Sequence, residues 1–253
     1  MTIDHQKIAQ RFAKAGQNYE QSAIVQKQII DRLMVQFAEQ CGDLPCERVL
    51  EIGCGNGLLT RQFLAYKSPK QLYLNDLYLP VRHDFLSAKQ AVDYVIGDIA
   101  MVDLPDELDL VLSTSALQWV VDLQALFGRL SSVMKTNGVL AFSTFGEQNL
   151  WQIKHLTGKG LSYPTPDMLI QMLNQAGFSV LYQQAWQQTL FFDTPMAVLK
   201  HLQMTGVTAS DGDYRWNKQK LQQFGEQYQS LSCEQGLPLT YDPIIIIAKM
   251  TNQ

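Results

Sequence analysis

The chain has 253 residues, 20 Lys and Arg against 24 Asp and Glu, and a formal net charge of −4. With 46% hydrophobic and 17% charged residues it can bury a real core, which excludes global disorder. The mild acidity argues against a general nucleic-acid binder, whose domain is usually basic. No apolar run approaches the roughly 18 residues of a membrane span; the longest, Ile244 to Ala248, is strand-sized. The length suits one large α/β domain, or one domain with an insertion. The first twenty residues are polar and mixed in charge, without a secretory leader pattern. Four cysteines do not make a disulfide framework in a chain this long. Cys41 and Cys46 lie close, but no second Cys/His pair stands at zinc-ligand spacing, so no metal is expected. These features predict a cytoplasmic protein with no membrane and no nucleic-acid partner. No long unexplained apolar face appears, which predicts a monomer.

In chain order, Ile8, Phe12, Ala15 and Tyr19 fall on one helical face. Ala23 to Ala38 is a second helix with Ile29, Ile30, Leu33, Met34 and Phe37 as its stripe. The pattern then changes. Arg48 to Ile52 reads as a strand running into Gly53-Cys54-Gly55-Asn56-Gly57, and Leu58 to Tyr66 as the helix after it. Further strands are Gln71 to Asn75, ending at Asp76; Tyr94 to Ile96, ending at Gly97-Asp98; Leu108 to Leu112, ending at Ser113 to Ser115; and Gly138 to Thr144. Leu123 to Met134 is a helix between the last two. This alternation implies right-handed crossovers and a mostly parallel sheet, with ligands at the carboxyl ends of the strands. Thr165 to Ala176 is a helix with Pro166 in its first turn and Gly177 at its end. A strand starts at Phe178 to Tyr182 and continues toward Phe192. Pro195 to Thr205 and Lys218 to Leu231 are helices outside the alternation, read as an insertion over the active edge. Leu239 to Met250 holds a final strand, where Pro243 marks an edge or a strand start.

The chemistry concentrates just past the strands. Three glycines in five residues permit a tight turn and close backbone approach to a ligand. They are spaced G-x-G-x-G, unlike the dinucleotide fingerprint, and Glu51 precedes them by two residues. A pyrophosphate would be repelled by that acid, whereas a cationic or amino-acid-bearing cofactor would be attracted. Asp76 is placed for two ribose hydroxyls, and Asp98 for the exocyclic amine of an adenine. Together these residues point to S-adenosylmethionine (SAM). Trp119 and Tyr19 also suit plain packing, since aromatics fill apolar stripes.

Residues 45 to 145 resemble the class I SAM-dependent methyltransferases. Four segments resemble, more narrowly, the malonyl-[acyl-carrier protein] O-methyltransferases of biotin synthesis, the BioC type. They are FAKAGQNYEQSAIVQKQI (12 to 29), SALQWVVDL (115 to 123), LKHLQMTGVTA (199 to 209) and LPLTYDPIIIIAKM (237 to 250). The resemblance implies one methyltransferase domain over 1 to 253. Its parts are an N-terminal helical cap (1 to 44), a Rossmann-like SAM-binding core (45 to 145) and a helical lid (195 to 232). It implies a seven-stranded, mostly parallel sheet with helices on both faces. It also implies methylation of the free carboxyl of a malonyl thioester, with S-adenosylhomocysteine as by-product. The acyl donor is malonyl-acyl-carrier protein or malonyl-CoA.

By this resemblance Glu51, Gly53, Cys54, Gly55 and Asn56 frame the methionine end of SAM. Asn56 stands where the family often has Thr. Asp76 binds the ribose, Asp98 with Ile99 contacts the adenine, Ser115 lies below the methyl group, and Leu77 and Gly97 count among the cofactor-binding residues. Substrate-side candidates are Tyr19, Gln118, Trp119, Lys200 and His201. The family usually has Arg where this chain has Lys200, and Lys lacks the bidentate fork of Arg. His201, Arg82 or His83 could share the grip on the carboxylate. Lys200, Arg215, Lys218 and Lys220 are candidates for meeting an acidic carrier protein. No catalytic base is expected, because the carboxylate is already ionised at neutral pH. Competing readings are a methyltransferase for a free dicarboxylic acid such as trans-aconitate, one for a quinone ring, and a SAM-binding protein without catalysis.

Overall fold

The structure is a computed structural model and describes residues 23–77, 91–205 and 217–251. The helical face through Tyr19 lies outside the described residues, as do Arg82, His83 and Arg215. The chain falls into two compact units. A sheet unit comprises Gln26–Thr144, Pro164–Ala185 and the residues from Ile244 on. A second unit includes Phe145–Tyr163 and Trp186–Pro243.

The sheet unit begins with α1 (Ile24–Cys41), β1 (Arg48–Ile52), α2 (Leu58–Tyr66) and β2 (Gln71–Asp76). It continues with β3 (Ala91–Ile96), β4 (Leu108–Ser113), a 3-10 turn (Leu117–Trp119), α3 (Leu123–Val133) and β5 (Met134–Phe145). Its remaining elements among the described residues are α5 (Pro166–Gln175), β6 (Phe178–Ala185) and β9 (Pro243–Met250), which lie on either side of the second unit's segments in the chain. Seven strands form one sheet in the order β3-β2-β1-β4-β5-β9-β6. The β1–β2, β2–β3, β1–β4 and β4–β5 pairs are parallel, and β6 runs antiparallel to β9.

Central strands are apolar on both faces because both faces are covered. Leu50, Ile52, Val111, Leu140, Phe142, Ile244 and Ile246 form one core with Leu126, Phe127 and Leu130 of α3 and Leu169 and Leu173 of α5. The alternating positions Val49, Leu72, Leu74, Leu110, Leu112, Ala141 and Ile245 are also buried and point to the opposite face. There α1 and α2 bury Ile29, Leu33, Phe37, Leu59 and Phe63. Helix starts follow their capping chemistry. Asp122 Oδ1 accepts from the Ala125 N–H, and Thr165 Oγ1 from the Met168 N–H with Pro166 at the first helical position. Asp109 fixes the start of β1: its Oδ2 accepts from the Glu47 and Arg48 N–H groups at 3.0 and 2.8 Å.

The second unit contains α4 (Trp151–Thr157), β7 (Gln188–Phe192), α6 (Pro195–Met204), α7 (Lys218–Gln229) and β8 (Leu237–Tyr241). β7 and β8 pair antiparallel. Gln152 is fully buried; its Nε2 donates to Thr240 Oγ1 at 2.8 Å and its Oε1 accepts from the Thr240 N–H at 3.1 Å. The Tyr228 hydroxyl donates to Pro238 O at 2.8 Å.

Two details differ from the pattern read along the sequence. The stretch from Phe178 to Phe192 is not one strand. β6 ends at Ala185 opposite Ile244, the Trp186 N–H donates to Pro243 O, and β7 then pairs in another sheet. The last segment likewise holds two strands, split at Asp242. Asp242 O accepts from the Gly146 N–H, and its Oδ2 from the Gln148 N–H. Pro243, which has no N–H to give, opens β9; that strand lies inside the sheet between β5 and β6.

Candidate active site

Four turns follow the carboxyl ends of β1 to β4 in the sheet unit, and they are tied to one another. In the turn after β1, Gly53, Gly55 and Gly57 have φ of 71°, 50° and 78°, a region that favours glycine. A Cβ at Gly53 would overlap the Ala116 Cβ, so the loop lies directly against the turn after β4. At Gly55 the space for a Cβ is open. The Cys54 N–H donates to Asn75 O at 2.9 Å, and the Gly55 N–H to Asp76 Oδ2 at 2.9 Å. The glycine turn is therefore anchored to the end of β2 through the carboxylate that the sequence marks for ribose.

The turn after β3 is held in the same way. Asn75 is buried, and its Nδ2 donates to Val95 O and Gly97 O at 2.7 and 3.0 Å. The Gly97 N–H donates to Asp76 O at 2.8 Å. Asp98 Oδ1 accepts from the Ala100 N–H, and Asp98 O from the Met101 and Val102 N–H groups. Arg129 of α3 reaches this turn, donating to Ile99 O at 2.6 Å and to Val102 O. Leu77 is half-buried and Ile99 buried.

After β4, Ser115 has φ of 52°, an uncommon conformation for a residue with a Cβ. Two side chains fix it. Its N–H donates to Ser143 Oγ at 3.0 Å, and its carbonyl accepts from Gln118 Nε2 at 2.6 Å. Ser115 Oγ and Gln118 Oε1 are buried without a partner among the described residues. Buried polar atoms of this kind call for a partner that the described protein atoms do not supply. Trp119 is buried at 8% exposure, a packing position.

Glu51 is 2% exposed, and Thr60 Oγ1 donates to its Oε2 at 2.7 Å. Burial pushes its carboxyl up to about 8, with nearby Asp76 adding to the rise and the Thr60 hydroxyl opposing it. The same burial, with Glu51 and Asp76 nearby, raises the Cys54 thiol far above its ordinary range, so it is no nucleophile.

Lys200 and His201 lie on α6 of the second unit. Lys200 is exposed. His201 Nε2 is 2.9 Å from the Tyr241 hydroxyl and its ring packs on Phe192 at 5.2 Å. Burial lowers its pKa from 6.5, so at neutral pH it is an uncharged ring. It offers a hydrogen bond rather than a cation. Lys218 and Lys220 are exposed on α7. Among the described residues no group of three or more His, Cys, Asp or Glu could hold a metal, and no helix is long and apolar enough to cross a membrane. The sequence reading missed Thr60, Asn75, Arg129 and Ser143. Asn75, Arg129 and Ser143 act on turns distant in the chain, and Thr60 acts on Glu51 of β1 from the helix that follows the glycine turn; no local pattern signals any of them.

This donor set fits a nucleoside cofactor with a positive charge: acids at the ends of β1, β2 and β3, open backbone at Gly55, and unpaired polar atoms after β4. The sheet order and the helices on both faces are the Rossmann-like fold of the class I methyltransferases. A family model described as a methyltransferase domain matches residues 7–183. Solved structures share the fold. One is the YcgJ protein of Bacillus subtilis, at TM-score 0.59 and 13% identity over 87% of this chain and 98% of that one. Another is the N-methyltransferase NodS of Bradyrhizobium japonicum, in complex with S-adenosyl-L-homocysteine, at TM-score 0.52 and 11% identity over 88% and 87%. The chain is thus a methyltransferase.

Its sequence relatives are more specific. It is 41% identical to the malonyl-[acyl-carrier protein] O-methyltransferase of Acinetobacter baylyi, over 100% of this chain and 99% of the relative. It is 37% identical to the enzyme of that name from Haemophilus ducreyi, over 98% and 97%. The chain belongs to the malonyl-[acyl-carrier protein] O-methyltransferase family.

Proposed function

We propose that the protein uses SAM to methylate the free carboxyl of a malonyl thioester, an early step toward the pimeloyl moiety of biotin. The observation that carries this reading is the 41% identity over the whole chain to a malonyl-[acyl-carrier protein] O-methyltransferase. The acids and glycines at the strand ends support the cofactor. Glu51, Gly53, Cys54, Gly55 and Asn56 hold the methionine end of SAM. Asp76 and Leu77 hold the ribose, and Gly97, Asp98 and Ile99 the adenine. Ser115 lies below the methyl group. Tyr19, Gln118, Trp119, Lys200 and His201 serve the substrate, Lys200 through its charge and His201 through a neutral hydrogen bond. The acyl donor is malonyl-acyl-carrier protein, with malonyl-CoA as a second donor, and the enzyme works as a cytoplasmic monomer.

When bound, SAM supplies a methyl group on a sulfonium. A malonyl carboxylate is ionised at neutral pH, so no residue need act as base. A carboxylate oxygen forms the new C–O bond as the S–C bond breaks, giving the methyl ester and S-adenosylhomocysteine. The chain contributes by holding the two reactants in line and excluding water. The clamped Ser115 turn suits that task, since its backbone is fixed from both sides.

Methyl-labelled SAM offered with malonyl-acyl-carrier protein, malonyl-CoA, free malonate and trans-aconitate tests the reading. Base-labile label on the malonyl thioesters is expected. Label on the free acids alone would overturn the substrate while leaving the cofactor intact.

A further inference from the structure

Two buried polar side chains meet beneath the glycine turn. Thr60 is fully buried in α2, and its hydroxyl donates to Glu51 Oε2 at 2.7 Å. The helix does not need that hydroxyl, since Val has nearly the same shape. A buried hydroxyl is costly unless it is bonded, so its presence there calls for a reason. The other titratable groups acting on Glu51 are Asp76 at the end of β2 and Cys54 in the loop. Asp76 opposes a negative charge on Glu51, and the Cys54 thiol is neutral. Among the described residues, no cation contributes to the Glu51 shift. The Thr60 hydroxyl and backbone are what favour the carboxylate form.

We propose that Thr60 is a positioning residue for the cofactor: its hydroxyl orients the Glu51 carboxylate as the anionic partner of the cationic methionine end of SAM. This rests on the placement of Glu51 proposed above. One carboxylate oxygen is held by Thr60, which leaves the other for the cofactor. Glu51 rests protonated at neutral pH even with this bond, and without the hydroxyl it would hold that proton more tightly, so that releasing it on SAM binding would cost more.

The test is calorimetric titration of SAM and S-adenosylhomocysteine into wild type, Thr60→Val, Thr60→Ser and Glu51→Gln, from about pH 6 to about pH 9. Wild-type affinity should rise with pH as Glu51 loses its proton. Thr60→Val should bind roughly tenfold more weakly at neutral pH, with its rise displaced to higher pH. Thr60→Ser should restore both affinity and profile. Glu51→Gln should bind weakly with the rise abolished. A folded Thr60→Val with wild-type affinity and profile would overturn the proposal, as would an unrestored Thr60→Ser with a normal melting curve. If Thr60→Val does not fold, the Ser and Gln variants decide: a pH rise persisting in Glu51→Gln overturns it. A wild type that binds neither ligand would instead overturn the cofactor reading, and the proposal with it.

Discussion

In the sheet unit, polar side chains crowd the carboxyl ends of β1 to β5 and bond largely to the backbone of neighbouring turns. Asp76 holds Gly55, Asn75 holds the turn after β3, and Ser143 and Gln118 hold Ser115. In the second unit, polar side chains lie within the packing and bond to one another and to the sheet they support. Gln152 meets Thr240, Asn149 Nδ2 donates to the Tyr163 hydroxyl at 2.9 Å, and His201 meets Tyr241. In the first arrangement side chains fix the turns, and Ser115 Oγ and Gln118 Oε1 are left without a partner among the described residues. The second arrangement consumes its polar atoms internally and exposes its cations. Hydrogen bonding of similar quality thus anchors turns in one unit and ties packed elements together in the other.

Substitutions should separate these uses. Gly53→Val imposes a β-branched side chain at φ 71° and overlaps Ala116. It should cost about 2–5 kcal/mol, read as a lower Tm and at least roughly thirtyfold weaker SAM binding. Gln152→Leu should lower stability by about 2–3 kcal/mol, because the buried Thr240 N–H loses its acceptor. Its SAM affinity should stay within about twofold of wild type, and a large loss would break the contrast between the units. Asp76→Ala should weaken SAM by about 1.5–3 kcal/mol, measured by titration; unchanged affinity would refute its place at the ribose.

Glu51 is raised from 4.5 to about 8 in the folded protein without cofactor. Between those values the folded state keeps a proton that the unfolded state has lost. Stability without cofactor should therefore fall as pH rises through this window, by at most about 1.4 kcal/mol per pH unit. The gain in Tm from added SAM should grow over the same range, and thermal melts with and without SAM read both. The smallest effect belongs to exposed Lys200. Lys200→Ala should raise KM for malonyl-acyl-carrier protein a few-fold, about 0.5–1 kcal/mol, and leave SAM binding unchanged.

The strand-end turns were legible because their signals are local. An apolar run ends in glycines or an acid, and parallel strands put such ends on one edge. β1 and α2 match the pattern residue for residue, and the Pro166 and Gly177 boundaries of α5 follow known cap chemistry. The break between β6 and β7 was not legible. No Gly or Pro lies between Phe178 and Phe192, and the break arises from pairing with Ile244 and with Tyr241, over fifty residues away. α4 was missed because it lacks a capping side chain and starts from Leu150 at φ 54°. Ser143 and Thr60 read as ordinary core residues until their partners are placed beside them.

The most direct test of the central claim is a crystal structure with S-adenosylhomocysteine. The ligand is expected at the carboxyl edge of the sheet, its ribose hydroxyls on the Asp76 carboxylate, its adenine beside Asp98 and Ile99, and its amino-acid end between Glu51 and the glycine turn. A ligand bound elsewhere, or a ribose out of reach of Asp76, would contradict it.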